Sequence, residues 1–429
     1  MKFRALLLAA SLLGVAASAF GDDWPQWRGP KRDAKSAEKG LLQEWPKGGP
    51  KLDWKINLGG YGYATPSVVG DKIYIAIAED HEKGLKEFAL CLSAKDGAQL
   101  WKSAALPVSE KRYGDYGRGN GPRSSPTVVG DVLYTLGAHG DLSCLKASDG
   151  SVVWSASFTK DFGGGIPQWG YSESVLVDGD KLLCTPGGSK GAILALNPKT
   201  GEKIWQSAEL KDSAGYSSIV VAEIGKVKQY ITQTNNAAVG VRASDGKLLW
   251  KVDQLARRVA VIPTAVVNDG YVFFTSGYGA GCECLKLEPD GEGTKASVVY
   301  TKNKLLSNHH GGVINIGNNV FGHSDTGSRW VCFDFTKDAK DPASEFKFGK
   351  GSMTYADGRF YLYSEGQGEV VLVDASPEEW KEKGRFTIPE KSTPRRGGSI
   401  WTHPVVANGK LYLRDHEHLF CFDIRRPGA

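Results

Sequence analysis

Ala94-Lys95-Asp96-Gly97-Ala98-Gln99-Leu100-Trp101 is the stretch that decides the fold of this 429-residue chain, because its turn and its tryptophan recur downstream at one fixed separation. Gly97 to Trp101, Gly150 to Trp154, Gly201 to Trp205 and Gly246 to Trp250 are each four residues apart. A glycine in an Asp-Gly or Thr-Gly turn supplies positive φ for a tight hairpin, and the tryptophan then falls within the following strand. Upstream of each such turn lies an apolar run broken by another glycine: SVVGDKIY from Ser67, TVVGDVLY from Thr127, VLVDGDKLL from Val175 and VVAEIGKV from Val220. The same run continues as AVVNDGYVFF from Ala265, VINIGNNVF from Val313, MTYADGRFYLY from Met353 and VVANGKLYL from Val405. Its turn glycines, Gly70, Gly130, Gly179, Gly225, Gly270, Gly317, Gly358 and Gly409, stand 60, 49, 46, 45, 47, 41 and 51 residues apart. Eight copies of one unit therefore fill the chain.

Each copy reads as four short antiparallel strands, with hairpin turns after the first and third. Copies five to seven keep the strands but replace the tryptophan with apolar stretches around Val299, Phe346 and Phe386. Such a unit cannot bury both faces alone, and stacking units radially removes the open sheet ends that a linear array would leave. The expected fold is all-β: an eight-bladed β-propeller of four-stranded antiparallel blades. The chain ends support a closed ring. The eighth copy stops after its third strand, Leu419 to Ile424, whereas Leu52 to Leu58 is a fourth strand with no unit before it. Pairing this N-terminal strand with the last blade closes the ring. The division expected is a signal peptide at 1–19, an extension packed on or beside the propeller at 20–52, one propeller domain at 53–427 and a tail at 428–429.

Composition agrees. Glycine numbers 54, the aromatic set is 12 Trp, 16 Tyr and 16 Phe, and Met is only 2, a mix that suits many short strands joined by tight turns. With 41% hydrophobic and 24% charged residues the chain has ample core material, which excludes global disorder. A net charge of +5 is too small to argue for a nucleic-acid partner. Lys2 and Arg4, the apolar run Ala5 to Val15, and Ala17 with Ala19 form a secretory signal, with cleavage expected after Ala19. That apolar run is too short to span a bilayer, and no cysteine follows the cleavage point to carry a lipid. A soluble exported protein, periplasmic or secreted and monomeric, is expected.

The repeat A-x-D-G-x-x-x-W and its Thr-Gly variant, at Ala94 to Trp101, Ala147 to Trp154 and Asn197 to Trp205, resembles that of pyrroloquinoline-quinone-type eight-bladed propellers. The resemblance covers about Asp53 to Pro427, and it implies that each tryptophan docks between neighbouring blades. The leading Asp23-Trp24-Pro25-Gln26-Trp27-Arg28-Gly29-Pro30 also resembles the start of exported bacterial propellers named for this repeat. The family includes dehydrogenases as well as non-catalytic outer-membrane assembly scaffolds, so the resemblance specifies fold more than activity.

Aligning the third strands puts Cys91, Cys144, Ala195, Gly240, Cys284, Cys332, Leu372 and Cys421 in one column. A column filled mainly by small residues is a packing position, so these cysteines are expected to be reduced and buried. Cys282 with Cys284 lacks a nearby Cys or His to complete a metal site, and no metal is expected.

In a four-strand meander the first and third turns lie on one side of the ring. The second turns and the connections between blades lie on the other. The first side carries only hairpin chemistry. The second varies between copies and gathers the candidate ligand-binding residues Tyr63, Arg123, Trp169, Tyr171, Tyr216, Arg258, His309, His310, Arg396, Trp401 and His403. Aromatic faces, guanidinium groups and imidazoles converging on a funnel suit an anionic or planar ligand. No catalytic set is expected; Asp325 and Glu365 form a carboxylate pair only if the fold brings them together, and the sequence does not give their separation. The function expected is an exported, non-catalytic propeller that binds a cell-envelope or secreted protein, a peptide or a small anionic ligand on that face, without a cofactor. The alternative implied by the resemblance is a dehydrogenase using pyrroloquinoline quinone (PQQ) with calcium to oxidise an alcohol or sugar. Against it, the adjacent Cys-Cys pair typical of such dehydrogenases is missing from the sequence.

Overall fold

Four-residue hairpins built on the repeated glycines fold the chain into eight sheets of antiparallel meanders, each the blade of a propeller. The computed structural model describes residues 22–81, 84–106, 121–253, 260–393 and 398–428. The expected cleavage after Ala19 and the candidates Arg258 and Arg396 lie outside the described residues. Blade one comprises Ser67–Val69, Lys72–His81, Gly84–Ser93 and Gln99–Lys102, and the other blades repeat that order. Ring closure is by the N-terminal strand: Lys51–Asn57 pairs antiparallel with His418–Asp423 as the outermost strand of blade eight. Blade seven gains a fifth, parallel strand, Lys35–Ser36 beside Tyr355–Ala356.

The turn chemistry follows the sequence. Asp269-Gly270, Asp357-Gly358 and Asn408-Gly409 have positive φ at both residues, the backbone of a type I′ hairpin turn. The cysteine column is also in register, with Cys91 between Tyr74 and Trp101, and Cys144 between Tyr134 and Trp154. All seven cysteines are free and buried.

Three of the repeated tryptophans hydrogen-bond to the next blade. Trp54 Nε1 donates to Ala94 O at 3.2 Å, Trp101 Nε1 to Ala147 O at 3.0 Å, and Trp154 Nε1 to Pro198 O at 3.0 Å. Trp250 departs from this pattern and donates instead within its own blade, to Gln229 Oε1 at 2.8 Å. In blade five the position opposite Cys284 belongs to Tyr300, one residue beyond the Val299 expected, because the ladder is shifted on either side of Cys284. Tyr300 keeps the tryptophan's role: its hydroxyl donates to Phe335 O of blade six at 2.9 Å.

Residues 23–36 occupy the middle of the ring. Trp24 bridges to Val68 of blade one, and Val128 N of blade two donates to Pro25 O. Trp27 Nε1 donates to Thr264 Oγ1 at 3.0 Å beside blade five, and Arg28 Nη2 to Val313 O of blade six at 2.5 Å. The segment then turns back. Arg32 donates to Ser174 O at 2.6 Å and to Val175 O at 3.1 Å at the entrance to blade three. Arg28, Arg32 and Ala34 all have left-handed φ, near 60°, a costly conformation for non-glycine residues that surrounding packing must hold in place. Asp23 at the near end accepts from Gly70 N of a hairpin turn, so the loop enters from the hairpin-turn side and presents Trp27 towards the connection side.

Candidate functional site

The connections that lead into successive blades are held together by short side-chain bonds before they offer anything to solvent. Ser67 Oγ donates to Pro126 O at 2.6 Å, Ser124 Oγ to Glu173 O at 2.6 Å, Ser217 Oγ to Pro263 O at 3.0 Å and Ser352 Oγ to Thr402 O at 2.8 Å. These hydroxyls satisfy backbone carbonyls that irregular chain leaves without a ladder partner, so the connections are fixed. Their larger side chains are thereby aimed at the axis.

There they line a cavity of about 140 Å³. Its walls include Tyr63, Arg123, Trp169, Tyr216, His309, His310 and Trp401, seven of the residues expected from sequence, together with Tyr278. Trp27 supplies part of the wall from the central loop. The rings form a continuous run: Tyr278 to His309 at 4.6 Å between centroids, His309 to His310 at 3.7 Å, His310 to Trp401 at 4.6 Å and Trp401 to Tyr63 at 4.9 Å. Arg123 caps it, with its guanidinium 5.5 Å from the centre of the Tyr63 ring. Tyr278 is held at φ 54° and is 61% exposed, so strained backbone delivers an aromatic ring to the rim.

Two of the expected residues stand behind the cavity. Tyr171 is buried in the core, with its hydroxyl donating to Pro186 O at 2.8 Å and its ring edge-on to Phe158 at 5.1 Å. His403 lies behind Trp27, 4.6 Å between centroids, and donates through Nε2 to His310 O at 2.9 Å. Sequence reading missed Trp27, although the two tryptophans ahead of the first repeat were a signal that this segment had something to bury.

Burial sets the protonation states. Desolvation pushes His310 and His403 down to about 3 and His323 to about 4, and it lowers His309 further with help from the neighbouring His310. The imidazoles are thus neutral, stacking surfaces at physiological pH. Lys350 Nζ donates to His309 Nδ1 at 3.0 Å, which places that ring's proton on Nε2. The same ammonium lies 2.9 Å from Asp325 and 3.9 Å from Glu365. A carboxylate pair bridged by lysine is an ion cluster, and the ammonium stands where a cation shared by the two would sit.

This arrangement also tests the quinone reading. PQQ with calcium needs several acidic ligands for the metal and cationic partners for its carboxylates. Among the described residues, Arg123 is the one arginine lining the cavity, the two carboxylates face Lys350, and no three His, Cys, Asp or Glu gather to hold a metal. The described residues do not fit that group.

Residues 86–341 match a family model described as outer membrane protein assembly factor BamB. A BamB from Burkholderia pseudomallei (strain K96243) is 28% identical over 125 residues, which cover 28% of this chain and 30% of that protein. The chain thus aligns with less than a third of that relative's length. Among solved structures, BamB from Moraxella catarrhalis superposes with a TM-score of 0.57 at 14% identity, over 87% of this chain and 98% of that one. Quinohemoprotein alcohol dehydrogenase from Comamonas testosteroni superposes with a TM-score of 0.62 at 12% identity, over 95% and 81%. At these identities the structural likenesses show a shared fold and nothing about activity.

Proposed function

Because this chain belongs to the family described as outer membrane protein assembly factor BamB, we propose that it is an exported, non-catalytic scaffold that binds a cell-envelope protein or peptide on its connection face. The observation that carries this reading is the unbroken run of rings from Tyr278 through His309, His310 and Trp401 to Tyr63, ending under Arg123. Neutral imidazoles and aromatic faces attract another flat group by stacking and apolar burial, and the guanidinium adds a donor for a carbonyl or carboxylate beside it. A planar side chain of the partner, set in an otherwise exposed peptide, is the natural occupant of a cavity this small. A part in assembling outer membrane proteins accords with the family description and belongs to the same proposal.

A fluorescence titration tests the reading. A soluble peptide carrying one phenylalanine should quench the cavity tryptophans saturably, the same peptide with alanine should not, and Trp401→Ala should weaken the response about tenfold, as loss of a central aromatic contact does. Equal responses to both peptides would count against the site. Turnover of alcohols or sugars by the protein supplied with PQQ and calcium would overturn the non-catalytic reading.

A further inference from the structure

The central loop divides the axis of the ring, and a second cavity of about 540 Å³ lies on its other side, towards the hairpin turns. One wall is the loop itself, with Gln26, Arg28, Lys31, Arg32, Asp33 and Lys35. The opposite wall is formed by the first strands of blades three, four and five, from Leu176–Asp178, Val220–Ile224 and Val266–Asn268.

The charges here do not balance. Four cations line the cavity, Arg28, Lys31, Arg32 and Lys35, against the carboxylates of Asp33 and Asp178. Asp178 is already engaged, accepting from Lys228 Nζ at 2.6 Å and from Tyr230 OH at 2.7 Å. Asp33 lies 3.7 Å from Lys35. Arg28 and Arg32 are buried, at 3% and 4% exposure, yet among the described residues their hydrogen bonds run to backbone carbonyls and to Gln26 Oε1, and neither has a carboxylate within 4.0 Å. Lys31 is exposed at the mouth and makes no ion pair among the described residues. Buried charge is normally compensated by charge of opposite sign, since carbonyl dipoles only partly replace lost hydration.

We propose that this cavity binds a soluble, phosphate-bearing small anion. Guanidinium and ammonium groups from one short loop line one wall of the space, an arrangement that can meet several phosphate oxygens at once. The site is recessed between the loop and three blades, so a soluble ligand reaches it more readily than a lipid headgroup anchored in a membrane plane. This inference is independent of the aromatic cavity, which lies on the other side of Trp27.

The test is calorimetric titration of the purified protein with sodium pyrophosphate at low and moderate salt. One saturable site is expected, weakening as salt rises, with at least a tenfold loss of affinity in Lys31→Gln/Lys35→Gln and no change in Trp401→Ala. Lys31→Gln alone, at an exposed position, serves if the double variant does not fold, and should still weaken binding severalfold. Absence of saturable heat with the parent protein, or unchanged affinity in the lysine variants, would overturn the proposal. Lysine-dependent sedimentation with phosphatidylglycerol vesicles without pyrophosphate binding would also overturn it, by assigning the charge to a membrane surface.

Discussion

Trp101 of blade one lies over Gly150 of blade two so closely that a methyl group on Gly150 would come within 2.7 Å of the indole ring. The relation is repeated around the ring: Gly97 meets Trp54, Gly201 meets Trp154 and Gly246 meets Trp205 in the same way. The turn glycine of one blade is therefore the floor on which the previous blade's tryptophan rests. The fixed spacing between glycine and tryptophan within a copy is the sequence trace of contacts made between copies.

Gly150→Ala should accordingly destabilise the protein by about 2 kcal/mol or more, because alanine is strained at positive φ and its methyl displaces the ring. Here φ is 73°. Gly70→Ala, also at positive φ but with open space around it, should cost less. Denaturant melts of the two variants measure the difference, and equal losses would remove the packing part of the explanation.

Ring closure makes a second prediction. Removing residues 53–58 deletes most of the strand that pairs with His418–Asp423 and takes Trp54 off its blade-one seat. The variant should lose its cooperative melt as a whole instead of fraying at one blade. Parent-like melting would show that the ring holds without this strand.

Stability should pass through a maximum near pH 6 to 7. Burial raises Glu87 to about 8 and Glu173 to about 7, above their ordinary 4.5. As pH rises from 4.5 the unfolded chain releases protons that these folded carboxyls keep, so stability falls by up to about 1.4 kcal/mol per pH unit per group and levels off above 8. His310, His323 and His403 act oppositely: their folded values lie below the ordinary 6.5, so stability is lost as pH falls below 6.5. Melts across pH 4.5 to 9 check both limbs. Glu87→Gln should flatten the alkaline limb and steepen the acid limb, because the slope of Glu87 opposes that of the histidines between pH 4.5 and 6.5.

The seven thiols are buried, and burial raises Cys91 and Cys144 to about 11. A thiol reagent at pH 8 should therefore modify almost none in the native protein and all seven after unfolding. Rapid native labelling of several would contradict the packing role of the cysteine column.

The blades were legible because hairpin glycines and strand periodicity are local signals repeated eight times, and the tryptophan register recurs through the first four copies. The aromatic wall was legible for a related reason: topology assigns every inter-blade connection to one face, and conspicuous residues such as Trp169, His310 and Trp401 stood out there. Tyr171 was misplaced by the same reasoning, since two residues in one connection share a face without sharing an orientation. Trp27 and the basic cavity escaped because they depend on where residues 23–36 run, and that path is set by bonds from Arg28 and Arg32 to carbonyls more than a hundred residues away. No periodicity encodes such contacts.

The central claim is that the connection face, and not the hairpin-turn face, engages a cell-envelope protein. A photocrosslinking amino acid placed in turn at Trp169, Tyr278 and Asp180 in cells that make the protein tests it most directly. Trp169 lines the aromatic cavity, Tyr278 stands at its rim, and Asp180 lies exposed in a hairpin turn of blade three. Irradiation should give a discrete adduct with a cell-envelope protein from the first two positions and none from the third. Adducts from Asp180 alone, or none from Trp169 and Tyr278, would contradict the account.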